Sequence, residues 1–315
     1  GRHIISEVHH VRLTNLKPGT VYRYRLYQQC IDDSGHSPIP LSRVTASDVY
    51  SRKPFAVRTL DKSKEEISFT MINDIHGRDS IMNAHTKDIR ANKPDFVVFN
   101  GDMASFMGSI ADIEKDFMTR ASKNFSPDFP LVYVRGNHEA RGPGYNEFMN
   151  LFPSSTGTPS YMFKHGSAAF LVLDCGEDKP DSDIEYGGTA AYDAYREQIA
   201  QWLKQTIASE EFKSAPVKIV LMHIPFEKGQ GWWGNNELKR LLLPLLNEAD
   251  VDVMLSGHNH SYSYREAGTI DGNTFPILVN SNNDRVEVKV TAKEIKMQVK
   301  DATGKTLHEK TIAVK

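Results

Sequence analysis

Five short polar motifs, each at the end of an apolar run, carry the residues of this sequence that could do chemistry. They read Asp74-Ile75-His76, Gly101-Asp102, Gly136-Asn137-His138-Glu139, Met222-His223 and Gly257-His258-Asn259-His260. Each motif contains Asp, Asn or His, and none contains Cys. Imidazole nitrogens and carboxylate oxygens suit borderline and hard metal ions, whereas thiolates suit softer ones. The motifs therefore predict metal-dependent chemistry.

The spacing within the motifs suits shared metal ligands. Asp74 and His76 lie two residues apart, so on an extended or looping segment they can point the same way and bind one ion. His258 and His260 repeat that spacing and could supply one ligand to each of two ions. Asp102 follows a glycine that permits close backbone approach, and its two carboxylate oxygens could bridge two ions.

The number of donors favours a dinuclear centre over a single ion. Seven donors are too many for one tetrahedral zinc and suit two ions of higher coordination number. Two metals ~3.5–4 Å apart clamp a phosphoryl group and lower the pKa of a bound water, so that it attacks as hydroxide. Iron, manganese and zinc all fit nitrogen and oxygen donors. The seven are Asp74, His76, Asp102, Asn137, His223, His258 and His260.

The elements that must position these donors alternate between strand and helix from about residue 65. Apolar runs at 67–72, 96–99, 131–134, 217–221 and 251–255 predict strands whose carboxyl ends converge. Helices are predicted at 82–92, 112–122, 192–207 and 236–246. Antiparallel strands are predicted at 275–279, 285–291, 294–299 and 307–314. The prediction is an α/β domain with mixed sheets and helices outside.

Residues 1–62 differ from the rest and are predicted to form a separate, partial β segment, followed by one domain at 63–315. Strands are predicted at 10–13, 21–26 and 55–60, with a Pro18-Gly19 turn after the first. The run from Leu16 to Leu26 resembles the latter half of a fibronectin type III sandwich. A complete sandwich has about seven strands over ~100 residues, so this would be only its tail.

Bulk properties exclude some partners. The net charge of -2 and the absence of long like-charge blocks argue against nucleic acid as a partner. No apolar run approaches the ~20 residues that span a bilayer. The sequence starts at Gly1 without an initiator Met, and we expect that a targeting segment has been removed. Cys30 and Cys175 belong to no metal-binding pattern, and two free thiols are favoured over one disulfide.

The five motifs, in this order, resemble the calcineurin-like metallophosphoesterase superfamily over about residues 66–262. The resemblance implies a four-layer αββα sandwich with a dinuclear site at the strand ends. It implies one metal held by Asp74, His76, Asp102 and His260, and a second held by Asp102, Asn137, His223 and His258.

The same resemblance assigns roles to two residues that are not ligands. His138 would lie near the leaving-group oxygen, as general acid or transition-state stabiliser. Glu139 would orient a neighbouring group without touching substrate.

Combined with the fibronectin-like segment, the layout is similar to that of purple acid phosphatases, which implies an exported protein. Two positions depart from that subgroup. Ser105 stands where the purple enzymes have a tyrosine ligand, and those enzymes lack the histidine that is His76 here. We therefore expect no iron–tyrosinate bond.

The resulting hypothesis is a phosphohydrolase in which a metal-bridging hydroxide attacks a phosphomonoester, or a phosphodiester, while His138 aids the leaving group. One alternative is a phosphodiesterase for nucleotide or phospholipid-headgroup substrates. Another is a metal-free binding module, although that would require a missing ligand.

Residues outside the ligand set could select the substrate. Asn137 and Arg141 could reach the phosphate, although Arg141 could equally be a surface arginine. Trp232 and Trp233 lie in a glycine-rich loop that could line the substrate site, or one of them could be buried packing. His223 taken alone could be a core histidine, and Asp102 taken alone a helix N-cap.

Overall fold

Two mixed six-stranded sheets form the centre of residues 53–315. The computed structural model describes residues 6–32, 35, 39–46 and 53–315, so parts of the predicted segment 1–62, including Gly1, lie outside the described residues. The strands are β1 Val21–Tyr24, β2 Tyr27–Asp32, β3 Ile39–Ala46, β4 Phe55–Arg58, β5 Ile67–Ile72, β6 Phe96–Asn100, β7 Leu131–Val134, β8 Tyr161–His165, β9 Ala168–Leu173, β10 Val217–Met222, β11 Val253–Ser256, β12 Ser263–Arg265, β13 Ile277–Val279, β14 Arg285–Val290, β15 Glu294–Lys300 and β16 Thr306–Ala313.

Strand order explains how distant motifs meet. The first sheet runs β16-β15-β14-β5-β6-β7, and the second runs β12-β13-β11-β10-β9-β8. In the first sheet β5, β6 and β7 are parallel, and in the second β9, β10, β11 and β13 are parallel. All five motifs follow one of these parallel strands, so they lie at the carboxyl edges of the two sheets, as predicted.

Helices cover the outer faces of both sheets. They are α1 Asp79–Thr86, α2 Ile89–Asn92, α3 Ile110–Ile113, α4 Thr119–Asn124, α5 Phe148–Leu151, α6 Tyr192–Ala208, α7 Glu210–Lys213 and α8 Trp233–Glu248. A π-helical turn, Glu114–Met118, joins α3 to α4, and short 3-10 turns occur at His138–Ala140, Tyr145–Glu147 and Ile184–Tyr186. None of the helices in the described residues is long and apolar enough to cross a membrane.

Alternation along the strands produces four layers. On β9, Ala168, Phe170 and Val172 pack against the first sheet, whereas the intervening residues pack against α6 and α8. A third apolar cluster lies between the first sheet and the helices from α1 to α5. Because each sheet buries both faces, the strands read as continuous apolar runs. The predicted αββα sandwich is confirmed.

The N-terminal residues form two small two-stranded sheets, β1 with β4 and β2 with β3. Tyr24 donates a hydrogen bond to the Pro127 carbonyl at 2.6 Å, which ties β1 to the larger domain. The fibronectin-like identity of this segment and the boundary at residue 62 stay predictions. The strand predicted at 10–13 is wrong: its side chains are exposed, with Val11 80% exposed, and no described segment pairs with it.

Two other predictions needed correction. The helix predicted at 82–92 is two helices, because Asp88 leaves helical geometry to begin α2 and accepts two hydrogen bonds from Arg285. The strand predicted at 275–279 is not purely antiparallel. Only residues 277–279 of this range form a strand, β13, which lies between β11 and β12 and runs parallel to β11.

Candidate metal centre

The ligand side chains predicted from the sequence converge on the carboxylate of Asp102. The Oδ2 atom of Asp102 lies 3.0 Å from Nε2 of His223, 3.8 Å from Nε2 of His138 and 4.0 Å from Nε2 of His76. Asp102 is buried at the end of β6, and the three histidines come from different loops. A carboxylate surrounded by imidazole nitrogens is a geometry suited to bridging cations.

The donor atoms fall into two sets on either side of Asp102. On one side Asp74, His76 and His260 bring their donor atoms within 4.8 Å of one another. The Nε2 atoms of the two histidines are 3.2 Å apart, and Oδ1 of Asp74 is 3.2 Å from Nε2 of His260.

On the other side, the donor atoms of Asp102, His223 and His258 also lie within 4.8 Å of one another. Oδ1 of Asn137 lies 3.1 Å from Nδ1 of His258. The first set contains three of the four residues of one predicted ligand group, and the second set together with Asn137 contains the residues of the other, while the assignment of ligands to ions stays a prediction. A third set within the same distance, His76, Asp102 and His138, lies between them.

Although other donor atoms lie only 3.0–3.2 Å away, two buried donor atoms in the centre form no hydrogen bond of acceptable geometry among the described residues. They are Oδ1 of Asp74 and Nε2 of His223, which lie 3.8 Å apart. A buried polar atom without a partner costs about 1–3 kcal/mol, so such atoms are rare in native proteins. Both atoms face the other donors, and a bound cation would satisfy both. The residues present therefore fit a metal centre.

Neighbouring carbonyl groups fix the orientation of two rings. Nδ1 of His223 lies 2.6 Å from the Asn100 carbonyl oxygen, so this nitrogen is the donor and Nε2 faces the centre. Nδ1 of His138 likewise lies 2.7 Å from the Ser105 carbonyl oxygen, which turns its Nε2 toward Asp102. A hydrogen bond on one ring nitrogen decides which tautomer is present and leaves the other nitrogen available.

The predicted close approach at Gly101 is confirmed, and Gly136 shows the same feature. A Cβ atom on Gly101 would lie 2.4 Å from Nδ1 of His223, and φ at this residue is +82°. A Cβ atom on Gly136 would lie 2.2 Å from Oδ1 of Asp102. Only glycine at these positions leaves the space that the two donor side chains occupy.

Glu139 lies behind the centre and holds the loop that carries Asp102. Its carboxylate is fully buried and accepts hydrogen bonds from four donors. Oε2 accepts from the backbone N–H groups of Asp102 and Gly136, each at 2.8 Å. Oε1 accepts from the N–H of Met103 at 2.7 Å and from the hydroxyl of Tyr133 at 2.9 Å. This arrangement is that of a residue orienting its neighbours.

Burial and the neighbouring carboxylates shift the pKa values of the histidines in the centre. Burial opposes protonation of His223, yet Asp102 and Asp74 raise its pKa to about 10. Burial lowers the pKa of His76 and of His258 to about 4. Near neutral pH, His76 and His258 therefore offer neutral lone pairs, whereas His223 would release a proton when a cation binds its Nε2.

Arg141 lies beside His138 and is held by two acidic residues. Its Nε and Nη2 donate to the carboxylate of Glu177, and Nη2 also donates to Asp178 at 3.0 Å. Nη1 lies 3.3 Å from Nε2 of His138, at the edge of the centre. Arg141 is therefore not a free surface arginine, and its role toward substrate stays a prediction.

The two tryptophans that the sequence placed in a substrate-lining loop lie in different surroundings. Trp232 is 61% exposed and lines a cavity of about 530 Å³ that also contains His258 and Asn259. Trp233 is 45% exposed, and its indole N–H donates to Asp193 on α6 at 2.9 Å. Neither ring is core packing, and Trp232 is the one that borders the ligand residues.

Sequence reasoning missed the partners of Arg141. Glu177 and Asp178 follow the apolar strand β9, so they form a sixth polar motif at a strand end, of the kind that led to the other five. Glu177 is fully buried. Acidic residues directly after an apolar strand were therefore visible in the sequence, but only Cys175 was considered in this segment. Both Cys30 and Cys175 are free thiols.

Comparison with known proteins gives consistent matches. The family model described as calcineurin-like phosphoesterase matches residues 67–262. Purple acid phosphatase 15 of Arabidopsis thaliana is 23% identical over 288 residues, covering 81% of this chain and 49% of that protein. The serine/threonine-protein phosphatase CPPED1 of Mus musculus is 26% identical over 176 residues, covering 53% of this chain and 54% of that protein.

Solved structures agree with this in fold. The purple acid phosphatase PPD1 of yellow lupin superposes with a TM-score of 0.63 at 13% identity, covering 96% of this chain and 61% of that one. At such identity the likeness shows the fold alone. The chain spans about half the length of the curated relatives that it matches.

Proposed function

The chain belongs to the calcineurin-like phosphoesterase family, and from that membership we propose that it hydrolyses a phosphomonoester by means of two metal ions. The observation that carries the proposal is the pair of donor sets that converge near Asp102, in which Oδ1 of Asp74 and Nε2 of His223 are buried, lie 3.8 Å apart and form no hydrogen bond of acceptable geometry. A cation bound among these donors would satisfy both atoms, which lie 3.0–3.2 Å from other donors without forming hydrogen bonds of acceptable geometry.

The donor sets assign residues to each ion. Asp74, His76 and His260 would hold one ion and Asn137, His223 and His258 the other, with Asp102 shared. Nitrogen and oxygen donors of this kind suit iron, manganese or zinc. When bound, two such ions supply an activated hydroxide and neutralise charge on the phosphoryl group.

His138 is the residue that we propose to protonate the leaving group. In the hydrolysis a P–O bond to water forms, the P–O bond to the leaving group breaks, and the departing oxygen takes a proton. Nε2 of His138 faces the centre, while Nδ1 is engaged by the Ser105 carbonyl. Because Nδ1 is engaged, Nε2 is the one ring atom that could deliver this proton, and it could do so once Nη1 of Arg141, which can only donate, turns from Nε2 to the substrate.

Arg141 is proposed to hold the phosphate. Glu177 and Asp178 occupy Nε and Nη2, so Nη1, beside His138, is the nitrogen that remains for a substrate oxygen. The buried carboxylate of Glu177 would fix the guanidinium in place before substrate arrives, which reduces the entropy lost on binding.

The centre is proposed to lack the iron–tyrosinate bond of the purple enzymes. Residue 105 is a serine, and its contribution to the centre is a backbone carbonyl that orients His138. Protein loaded with iron should show no visible tyrosinate-to-iron absorption band, and such a band would contradict this assignment.

Two assays on metal-loaded protein test the function. Activity on an aryl phosphate and on a bis-aryl phosphate is measured alongside the metal content. We expect two ions per chain and faster hydrolysis of the monoester, consistent with the names of the relatives. A preference for the bis-aryl substrate would instead support the phosphodiesterase alternative. If protein with two bound ions hydrolysed neither the aryl phosphate nor the bis-aryl phosphate, the proposal that it is a phosphohydrolase would be refuted.

Export and the fibronectin-like segment remain part of the proposal. Both rest on the purple acid phosphatase layout. Separating the cells of the source organism from their medium and envelope fractions, and locating the protein in each with an antibody, would test export.

A further inference from the structure

A cavity next to Arg141 lies on the His138 side of the metal centre. Its volume is about 570 Å³, within the range of small-molecule sites. Ala140, Arg141 and Gly142, which directly follow the His138 motif, form one wall of the cavity. Arg141 therefore lies between the cavity, which it lines, and His138, whose Nε2 is 3.3 Å from Nη1 of Arg141.

Tyrosine rings dominate the remaining walls. The lining includes Tyr145, Tyr186, Tyr192 and Tyr195. The hydroxyl of Tyr195 donates to Asp174 at 2.5 Å, and that of Tyr192 donates to the Ala140 carbonyl at 3.3 Å. Because these hydroxyls are engaged within the protein, the two residues present their rings rather than polar groups. Tyr145 is 52% exposed, which places an aromatic surface at the cavity opening.

The charged groups that line the cavity are paired. Arg135 is bound to Asp174 at 2.5 Å, and Glu185 forms an ion pair with Lys179. Arg141 is held by Glu177. A charged ligand would gain little from groups already neutralised by a partner, whereas a flat apolar ring could stack on the tyrosines.

We propose that this cavity is a leaving-group subsite for a phosphomonoester whose leaving group carries an uncharged aromatic ring. The inference rests on the proposed function and deepens it. The phosphate would lie at the metal centre under Arg141, and the departing oxygen would face His138. The aromatic ring of the leaving group would extend beyond Arg141 and lie in the tyrosine-lined cavity.

A matched pair of substrates tests the subsite. Ethyl phosphate and 2-phenylethyl phosphate both release a primary alcohol, so leaving-group acidity contributes little to a difference between them. We expect kcat/KM to be about tenfold higher for the phenyl compound. 2-Cyclohexylethyl phosphate should fall between the two, because its ring is apolar but cannot stack. Equal values for ethyl and 2-phenylethyl phosphate would overturn the proposal.

Two variants connect the preference to the cavity. Tyr145→Ala removes an exposed ring that forms no hydrogen bond the structure records, and Ala190→Trp fills the space. Each should bring the phenyl-to-ethyl ratio of kcat/KM toward one. The matched control is Tyr27→Ala, which removes a ring that is 64% exposed on strand β2. That control should keep the wild-type ratio, and thermal unfolding checks that each variant folds.

Binding of the product separates the subsite from the catalytic function. 2-Phenylethanol carries no phosphate and needs no metal, so NMR can follow its binding to chelator-treated protein. Wild-type protein should bind it more tightly than Tyr145→Ala does. Binding without hydrolysis of any ester would retain the cavity as an aromatic site and refute the proposed function. Hydrolysis without an aromatic preference, together with equal binding by both proteins, would refute the subsite alone.

Discussion

Replacing Glu139 by glutamine should destabilise the protein markedly, although the two side chains have the same shape. Oε1 and Oε2 of Glu139 each accept two hydrogen bonds, three from backbone N–H groups and one from the Tyr133 hydroxyl. An amide offers one acceptor oxygen and one N–H₂ donor. With its oxygen toward Asp102 and Gly136, the amide nitrogen could donate to the Tyr133 hydroxyl but would face the N–H of Met103.

The magnitude follows from counting the donors left without partners. One buried N–H without an acceptor costs about 1–3 kcal/mol, and the remaining bonds lose the contribution of the charge. We expect Glu139→Gln to lower the free energy of unfolding by about 2–4 kcal/mol. Glu139→Ala leaves three N–H groups and a hydroxyl without the carboxylate, and should cost about 4–8 kcal/mol. The second value approaches the whole stability of a typical domain.

The protonation state of Glu139 bears on this estimate. Burial and the neighbouring Asp102 carboxylate raise the pKa of Glu139. A protonated carboxyl could donate its hydrogen only to the Tyr133 hydroxyl, because its three backbone partners are all donors, and the oxygen carrying that hydrogen would accept less well from the N–H of Met103. The geometry therefore accommodates the ionised form best.

Urea unfolding of both variants, with metal content measured on the same samples, tests this reasoning. The exposed Glu294 serves as the control, since Glu294→Gln should change the unfolding free energy by no more than about 0.5 kcal/mol. Because Glu139 holds the loop of Asp102, metal affinity of Glu139→Gln should fall about 10–100-fold. If Glu139→Gln were as stable as the wild type, the role assigned to the carboxylate would be wrong.

Four further predictions use the same structure. Asp102→Asn should lower metal content at both positions, as measured by elemental analysis, because both donor sets share this carboxylate; loss of a single ion would contradict the bridge. His138→Ala should keep both ions but reduce kcat about 10²–10⁴-fold; loss of metal would make His138 a ligand instead. Burial alone would raise the pKa of Asp95, but His165, Lys64 and a backbone N–H lower it to about 2. Because this pKa is below the unfolded value of ~3.9, the ionised carboxylate stabilises the fold by about 2 kcal/mol above pH ~3.9. That stabilisation is lost as the pH falls from ~3.9 through about 2. Acid unfolding of Asp95→Asn should therefore show a weaker dependence on pH between about 4 and 2 than the wild type shows. Chelator treatment should abolish hydrolysis but keep the far-ultraviolet circular dichroism spectrum, and a lost spectrum would show that the ions are needed for folding.

The motifs could be recognised from sequence because local patterns carry them. Each motif follows an apolar run that the sandwich buries on both faces, so a strand end and a polar group coincide in the sequence itself. Parallel pairing of β5, β6 and β7 brings three of the motifs to one sheet edge, and parallel pairing of β10 with β11 does the same for the other two. The two donor sets could be predicted for the same reason.

What escaped prediction depends on contacts between distant segments. Strand β13 inserts between β11 and β12, and nothing in its short apolar run distinguishes a parallel from an antiparallel neighbour. Strand β8 lies at the edge of its sheet and most of its residues are only partly buried, so its sequence lacks the continuous apolar run that indicated the other strands. The ion pair of Arg141 with Glu177 joins residues 36 positions apart. The tyrosine-lined cavity likewise combines the segment after His138 with the segment before α6.

The backbone of the centre has an uncommon conformation at most of its donor residues. Five donor residues have left-handed backbone conformations, with φ between 49° and 70°: Asp74, His76, Asp102, His258 and His260. For residues with a Cβ atom this conformation costs roughly 1–2 kcal/mol each, or about 5–10 kcal/mol together.

Hydrogen bonds between the loops hold these conformations. The N–H groups of Asp74 and His76 donate to the carbonyls of Gly101 and Asp102 at 2.9 and 3.0 Å, and the N–H of His258 donates to the Asp74 carboxylate at 2.8 Å. Each loop thus supports the next, and the first sheet is connected to the second through the donors themselves. Strain that the surrounding structure over-determines in this way is found at functional sites.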